Sequence, residues 1–197
     1  MSEVYVDTTA IIDNGVIMGK GTKIWHFVHI MEDAQIGKDC VIADYVSVGR
    51  SVKIGDKVKI ENRATVFEGV TIKDNVFVGP HVTFTNDLHP RSYNKDWKII
   101  STLIKQGSSI GAGTVIVCGV TIGEYSMIGA GSVVTNSIPS YSLAYGNPAR
   151  IRGFVCICGR KLELEKETKL HVYMMCPNCK EKYEIPVGDY ARRETGE

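Results

Sequence analysis

An all-β solenoid, short strands wound into a parallel helix, is the fold the sequence predicts. Three observations carry it. Apolar residues recur every six positions without a slip at Ile12, Met18, Ile24, Ile30, Ile36, Ile42, Val48, Ile54, Ile60, Val66, Ile72, Val78 and Phe84. The same beat returns at Ile104, Ile110, Ile116, Ile122, Ile128 and Val134. Four residues after each beat of the first run, up to Val78, stands a second small or apolar residue, among them Val16, Thr22, Val28, Ala34, Cys40, Val58 and Val82. Gly follows the beat directly at Gly19, Gly37, Gly49, Gly55, Gly79, Gly111, Gly123 and Gly129. A period of six would scatter around a helix, and it is not the alternation of a half-buried strand. It suits a short flat strand and a corner, with β-branched residues inward and Gly easing the turn. Fixed self-similarity of this kind means repeats that bury a common core by stacking. An Ile-rich β-sandwich would not hold one phase for so long.

Hexads such as Ile36-Gly37-Lys38-Asp39-Cys40-Val41 and Ile110-Gly111-Ala112-Gly113-Thr114-Val115 resemble the hexapeptide repeat of left-handed parallel β-helix acyltransferases. The resemblance implies three hexads per triangular coil. The hexads here would then give about six coils, about 4.8 Å apart.

A chain of 197 residues accommodates one main domain and a small appendage. The net charge of +1 gives no footprint for nucleic acid. Residues 1–10 hold no apolar signal core, and no run of eighteen apolar residues occurs, so no membrane insertion and a cytoplasmic location are expected.

Along the chain, residues 1–11 lead into the first coil. Trp25-His26-Phe27-Val28-His29 interrupts the plain hexads, and its two His are read as a surface or substrate-facing pair, since no Cys or carboxylate joins them at ligand spacing. Cys40 and Cys118 fall within hexads and read as structural. Glu61-Asn62-Arg63 replaces a Gly-rich corner with polar side chains. After Phe84 the beat stops and returns two residues out of phase, so a loop spanning 85–103 leaves the prism. Loops of that length in compact domains tend to carry function. This one holds Asn86, His89, Arg91, Tyr93 and Trp97. Residues 104–139 form the last coils. The segment around Gly146-Asn147-Pro148-Ala149-Arg150 strongly resembles the post-helix segment of the same acyltransferases and points to coenzyme A.

The organisation expected is a β-helix domain over 1–153, a zinc-ribbon-like domain over 154–187 and a tail over 188–197. Cys156, Cys158, Cys176 and Cys179 carry the ribbon reading. Four thiolates close a tetrahedral zinc site, and the metal supplies folding energy that so small a segment lacks. The first pair is Cys-x-Cys where Cys-x2-Cys is commoner. Disulfides and a redox pair are the alternatives.

Over residues 1–155 the chain is similar to nucleotide-sugar 3-N-acetyltransferases, on the text Trp25-His26-Phe27-Val28-His29-Ile30, Phe84-Thr85-Asn86, Pro90-Arg91-Ser92 and residues 117–125 and 146–150. The type favoured acts on UDP-2-acetamido-3-amino-2,3-dideoxy-glucuronate in bacterial surface polysaccharide biosynthesis. Glu61-Asn62-Arg63 departs from the Gln-Asn-Asn such relatives often carry. The resemblance implies a homotrimer with sites between prisms and acetyl-CoA lying along the prism axis. Gly111, Ala112, Gly129 and Ala130 would let pantetheine approach backbone amides. Asn147, Pro148 and Arg150 would hold the coenzyme, with Arg150 on a phosphate. Asn86 would orient the amine. His89, with a near-neutral intrinsic pKa, is the candidate base. Glu61, Asn62 and Arg91 are the candidates for the nucleotide sugar. Some relatives of this type lack a base, and the departing thiolate takes the proton.

Three other readings compete. A dTDP-linked 3-amino sugar or a sugar hydroxyl is the alternative acceptor. A γ-class carbonic-anhydrase-like metal site would need clustered His at spacings that His26, His29, His81 and His89 do not offer. A non-enzymatic scaffold would need neither the loop nor the 146–150 segment.

Overall fold

The computed structural model describes residues 3–193, and its main body is the left-handed parallel β-helix expected. Most strands are two residues long, because each hexad spends its other four residues on a corner. Three parallel sheets form the faces. The first face stacks Tyr5–Val6, Lys23–Ile24, Val41–Ile42, Lys59–Ile60, Phe77–Val78, Ser109–Ile110, Met127–Ile128 and Ser142–Tyr145. The second face runs from Ile11–Ile12 to Val133–Val134, and the third from Ile17–Met18 to Thr121–Ile122. Partners in adjacent layers lie one coil apart, as Lys23 opposite Val41 and Lys59 opposite Phe77.

The beat residues point inward. Ile24, Ile42, Ile60, Val78, Phe84, Ile104 and Ile116 are all fully buried, and so are Val28, Ala34, Cys40, Val58 and Val82 from the second set. One apolar cluster runs the length of the prism. Each large side chain so buried contributes about 1.5–3 kcal/mol. No two-residue strand is stable alone, so stacking supplies the stability.

Two expectations change. About six coils were expected, but the first face has eight parallel layers among the described residues. Tyr5–Val6 is in phase and adds a layer at the start. At the other end the segment read as following the helix closes a last coil. Ile138 bridges to Ile122, Ser142–Tyr145 pairs with Met127–Ile128, and Val133 N donates to Gly146 O at 3.0 Å. This segment lacks hexad text, so period counting passes over it. The glycines after the beat also have a different cause. Positive φ falls two residues later, at Phe27, Tyr45, Arg63 and His81, for example. A Cβ at Gly19 would come 2.6 Å from Gly37 C, and one at Gly111 2.5 Å from Ala130 N. Coil-to-coil contact requires these glycines.

The loop leaves the prism between Thr83–Phe84 on the second face and Thr102–Ile104 on the third. Ile100 N donates to Asn86 O at 3.0 Å and closes its base. Ile99 and Ile100 lie against Gly69 and Gly119 of the neighbouring corners, where a Cβ would crowd their methyls.

After the last coil, Arg150–Phe154 turns back antiparallel on Ser142–Tyr145. A three-stranded antiparallel sheet follows, Glu163–Glu167, His171–Met175 and Lys182–Pro186, then a short helix, Val187–Ala191. These elements share their own core of Ile151, Phe154, Leu162, Val172, Met174, Ile185 and Tyr190. The helix takes up part of the segment read as a tail; residues 194–197 of that segment, and residues 1–2 of the first domain, lie outside the described residues. Tyr141 packs against this second core, stacking on Tyr125 of the prism at 5.6 Å and meeting Tyr183 edge-on at 5.1 Å. Among the described residues, no helix is long and apolar enough to cross a membrane.

Candidate functional site

The corners between the first and second faces align as one edge of the prism, residues 25–28, 43–46, 61–64, 79–82, 111–114 and 129–132. Its lower part is crowded. His26 sits between two carboxylates, with Nε2 3.3 Å from Asp7 and Nδ1 3.2 Å from Asp44. The side-chain and backbone hydrogen bonds from Thr9 hold the Asp7 carboxyl below its ordinary pKa. Phe27 stacks on Tyr45 at 5.0 Å, and the Arg63 guanidinium lies 4.9 Å from the centre of the Tyr45 ring.

The upper part of this edge is bare. Ala112, Gly113, Ala130 and Gly131 are exposed, and a Cβ added to Gly113 or Gly131 would meet nothing within 4 Å. Bareness changes the hydrogen bonding. Lower down, Asp44 accepts from His26 N at 3.1 Å from one coil above. On another edge Asp56 takes Lys38 N at 2.7 Å, and Asp74 takes Asp56 N at 2.8 Å, from the same relative place. One coil above Ala112 stands Ala130, which has no side-chain acceptor. The strip therefore presents backbone N–H groups beside open space, suited to a ligand with amide and carbonyl acceptors.

The structure thus gathers Glu61, Asn62, Gly111, Ala112, Gly129 and Ala130 on one edge. Gly146, Asn147 and Pro148 cap it, exposed, and Arg150 follows, half-buried, with Nη1 donating to Ala149 O at 3.2 Å. Asn86, His89 and Arg91 lie elsewhere, on the edge between the second and third faces. There Asn86, Asp87, Pro90, Arg91, Ser92, Asn94 and Trp97 line an open pocket of about 480 Å³. Asn86 is half-buried and sits at the pocket's root. His89 is exposed and does not line it; its backbone N–H donates to Asp87 Oδ1 at 2.8 Å. One chain does not bring the bare strip and this pocket together.

The four C-terminal cysteines do converge. Cys156 Sγ lies 3.4 Å from Cys179 Sγ, Cys158 Sγ 3.6 Å from Cys176 Sγ, and Cys179 Sγ 4.0 Å from Cys158 Sγ. A tetrahedral zinc thiolate site with bonds of about 2.3 Å has sulfur atoms about 3.8 Å apart. The donor set therefore fits zinc, with all four sulfur atoms within 4.8 Å of one another. The backbone N–H groups of Cys179 and Asn178 hold the Cys176 thiol down at about 6, while the crowding sulfur atoms of Cys156, Cys176 and Cys158 push Cys179 up to about 12.

Reading the sequence alone missed the His26–Asp44 contact. The signal was present, since the two residues are one coil, eighteen positions, apart.

Two family models match the chain, the GMPPB C-terminal domain over residues 24–83 and the bacterial transferase hexapeptide (six repeats) over residues 101–136. The dTDP-3-amino-3,6-dideoxy-alpha-D-galactopyranose 3-N-acetyltransferase of Aneurinibacillus thermoaerophilus is 52% identical over 159 residues, 81% of this chain and 82% of that protein. The galactoside O-acetyltransferase of Escherichia coli K12 is 43% identical over 84 residues, 41% of each chain. A crystal structure of a variant GDP-perosamine N-acetyltransferase from Caulobacter crescentus, in complex with CoA and GDP-perosamine, superposes with a TM-score of 0.53 at 23% identity. That match covers 77% of this chain and 57% of the other, and it shows the shared fold.

Proposed function

The chain belongs to the hexapeptide-repeat acyltransferases, and from that premise we propose that it transfers acetyl from acetyl-CoA to the 3-amino group of a nucleotide-linked sugar. The observation that carries the acceptor is the 52% identity, across most of both chains, to an enzyme acting on a dTDP-linked 3-amino-3,6-dideoxyhexose. We therefore take a dTDP-linked 3-amino-6-deoxy sugar as the acceptor. A UDP-linked 3-amino-uronate is the second reading, favoured by Arg91 in the pocket beside Asn86, where a guanidinium would meet the carboxylate. In either case the product suits a surface polysaccharide.

The chemistry assigns the residues. The neutral sugar amine attacks the thioester carbonyl, the tetrahedral oxyanion collapses, and the CoA thiolate leaves. The nitrogen loses one proton. Asn86 holds the amine in line, a positioning effect. His89 is the candidate base, but its place outside the pocket lining favours transfer of the proton to the departing thiolate. Pantetheine lies along the bare strip, where Ala112 and Ala130 offer N–H groups. Glu61 and Asn62, two coils below, face the nucleotide sugar.

Because Asn86 and the strip occupy different edges, the reaction needs the strip of one copy beside the loop of another. A homotrimer meets that need by a single repeated contact. Zinc in the Cys156, Cys158, Cys176 and Cys179 cluster holds the appendage together.

Thiol release from acetyl-CoA with dTDP- and UDP-linked 3-amino sugars, each with and without a uronate carboxylate, tests this reading. Release with the dTDP sugars alone supports the first acceptor, and release with the UDP-amino-uronate alone the second. No release with any of them, from folded trimer, overturns the acetyltransferase assignment for amino sugars.

A further inference from the structure

The edge between the third and first faces ends in a column of rings that runs into the appendage. Gly107, Tyr125 and Tyr141 hold the same corner position in successive coils. Gly107 N donates to Asp74 O at 2.9 Å, Tyr125 N to Gln106 O at 3.0 Å and Tyr141 N to Glu124 O at 2.8 Å. Gly107 leaves room for the Tyr125 ring, which a Cβ there would meet. Tyr141 stacks on Tyr125 with 13° between the ring planes, and Tyr183 of the appendage meets Tyr141 at 60°. Nearby, Arg192 Nη2 donates to Ser137 O at 2.8 Å and seats the appendage on the last corner. Tyr183 stands on the strand Lys182–Pro186, on the inward side with Ile185. Its hydroxyl ends the column at the cysteine cluster, 3.0 Å from Cys156 Sγ.

The hydrogen bonds at that hydroxyl fix their own direction. Ile157 N donates to the Tyr183 oxygen at 3.1 Å. A phenol has a single proton, and here it is left for the Cys156 sulfur. A metal-bound cysteine is a thiolate and can only accept. Four thiolates outweigh the charge of one zinc ion, so the cluster keeps an excess of negative charge, and Cys156 and Cys176 are buried. A donor to sulfur disperses that charge and fixes the orientation of the ligand. We propose that Tyr183 is a positioning residue of the metal site, holding the Cys156 thiolate through its hydroxyl and tying the site to the prism through its ring. The proposal rests on the zinc reading of the four cysteines. The last coil then helps to shape the metal site, because Tyr141 seats the ring that carries the hydroxyl.

Two measurements on the full-length protein test it: competition for zinc against a chromophoric chelator, and the sulfur-to-metal charge-transfer bands of the cobalt(II)-substituted form. Tyr183→Phe keeps the ring and removes the hydroxyl. It is expected to weaken zinc binding about tenfold or more. The bands should move to longer wavelength, because a thiolate without its donor gives up charge to the metal more readily. Tyr141→Leu breaks the column and spares the hydroxyl bond, and zinc binding should weaken a few-fold. Tyr173→Phe removes a hydroxyl that bonds Glu184 instead, and it should match wild type. Circular dichroism of the zinc-loaded variants checks that each is folded. Wild-type affinity and wild-type bands in Tyr183→Phe overturn the proposal. So does an affinity loss with the bands unmoved, which packing alone would cause. Wild-type affinity in Tyr141→Leu overturns the link to the prism. Wild type that takes up neither zinc nor cobalt removes the zinc reading itself, and the proposal with it.

Discussion

Ala130 stands one coil above Ala112 and offers its N–H no acceptor, whereas Asp44 takes the N–H of His26 at 3.1 Å from the same relative place. Three corners of the solenoid are capped in this way by a carboxylate from the coil above, and Ala112 is not. Ala130→Asp restores the pattern. The new carboxylate should cap the Ala112 N–H, and it would occupy the strip with a negative charge. The KM for acetyl-CoA is expected to rise about tenfold or more, with the melting temperature unchanged or higher. A variant with unchanged KM would show that pantetheine does not use this edge.

Asn86 and His89 are neighbours in sequence with different surroundings. Asn86→Ala should lower kcat by one to two orders of magnitude, with little effect on CoA affinity, because positioning is lost and donor binding is not. His89→Ala should leave the pH–rate profile unaltered if the thiolate takes the proton. A flattened acidic limb would make His89 the base. Steady-state kinetics across pH decides both.

Gly69 has φ +92°, and a Cβ there would collide with Ile99 Cγ2 of the long loop. Gly69→Ala should cost about 1–2 kcal/mol for the backbone conformation. It should also push the loop outward and lower acetyl transfer more than it lowers prism stability. Thermal melting and turnover measured together check this.

Metal analysis should find about one zinc per chain. Chelation should unfold the appendage, whose core is built around Cys156 and Cys176, and leave the separate apolar cluster of the prism intact. Calorimetry should then lose a transition and keep a second, higher one. An unfolding profile unchanged by chelator, with no zinc found by metal analysis, would end the metal assignment.

Asp7 accepts from Thr9 N at 2.9 Å and Thr9 Oγ1 at 2.6 Å, which lowers its pKa in the folded state. Its stabilising effect is therefore present above the ordinary carboxylate pKa and lost as pH falls through the lowered folded value. Asp7→Asn should flatten the pH dependence of melting below about pH 4 relative to wild type.

The sequence by itself determined the prism. Its period names the inward residues from Ile24 to Val134, because a solenoid core depends on local repetition more than on distant partners. The loop, its Asn86 and the four-cysteine cluster were equally legible, since an interrupted beat and a ligand spacing are visible in one dimension. Only the tertiary structure decided which corners share an edge. Stacking brings residues eighteen apart into contact, so His26 meets Asp44 and the glycines after the beat answer to the coil above. It also decided that Asn86 and Ala112 lie on different edges, and that Arg192 reaches back to the last corner. Those relations depend on how the coils and the appendage pack in three dimensions, and no period along the chain encodes them.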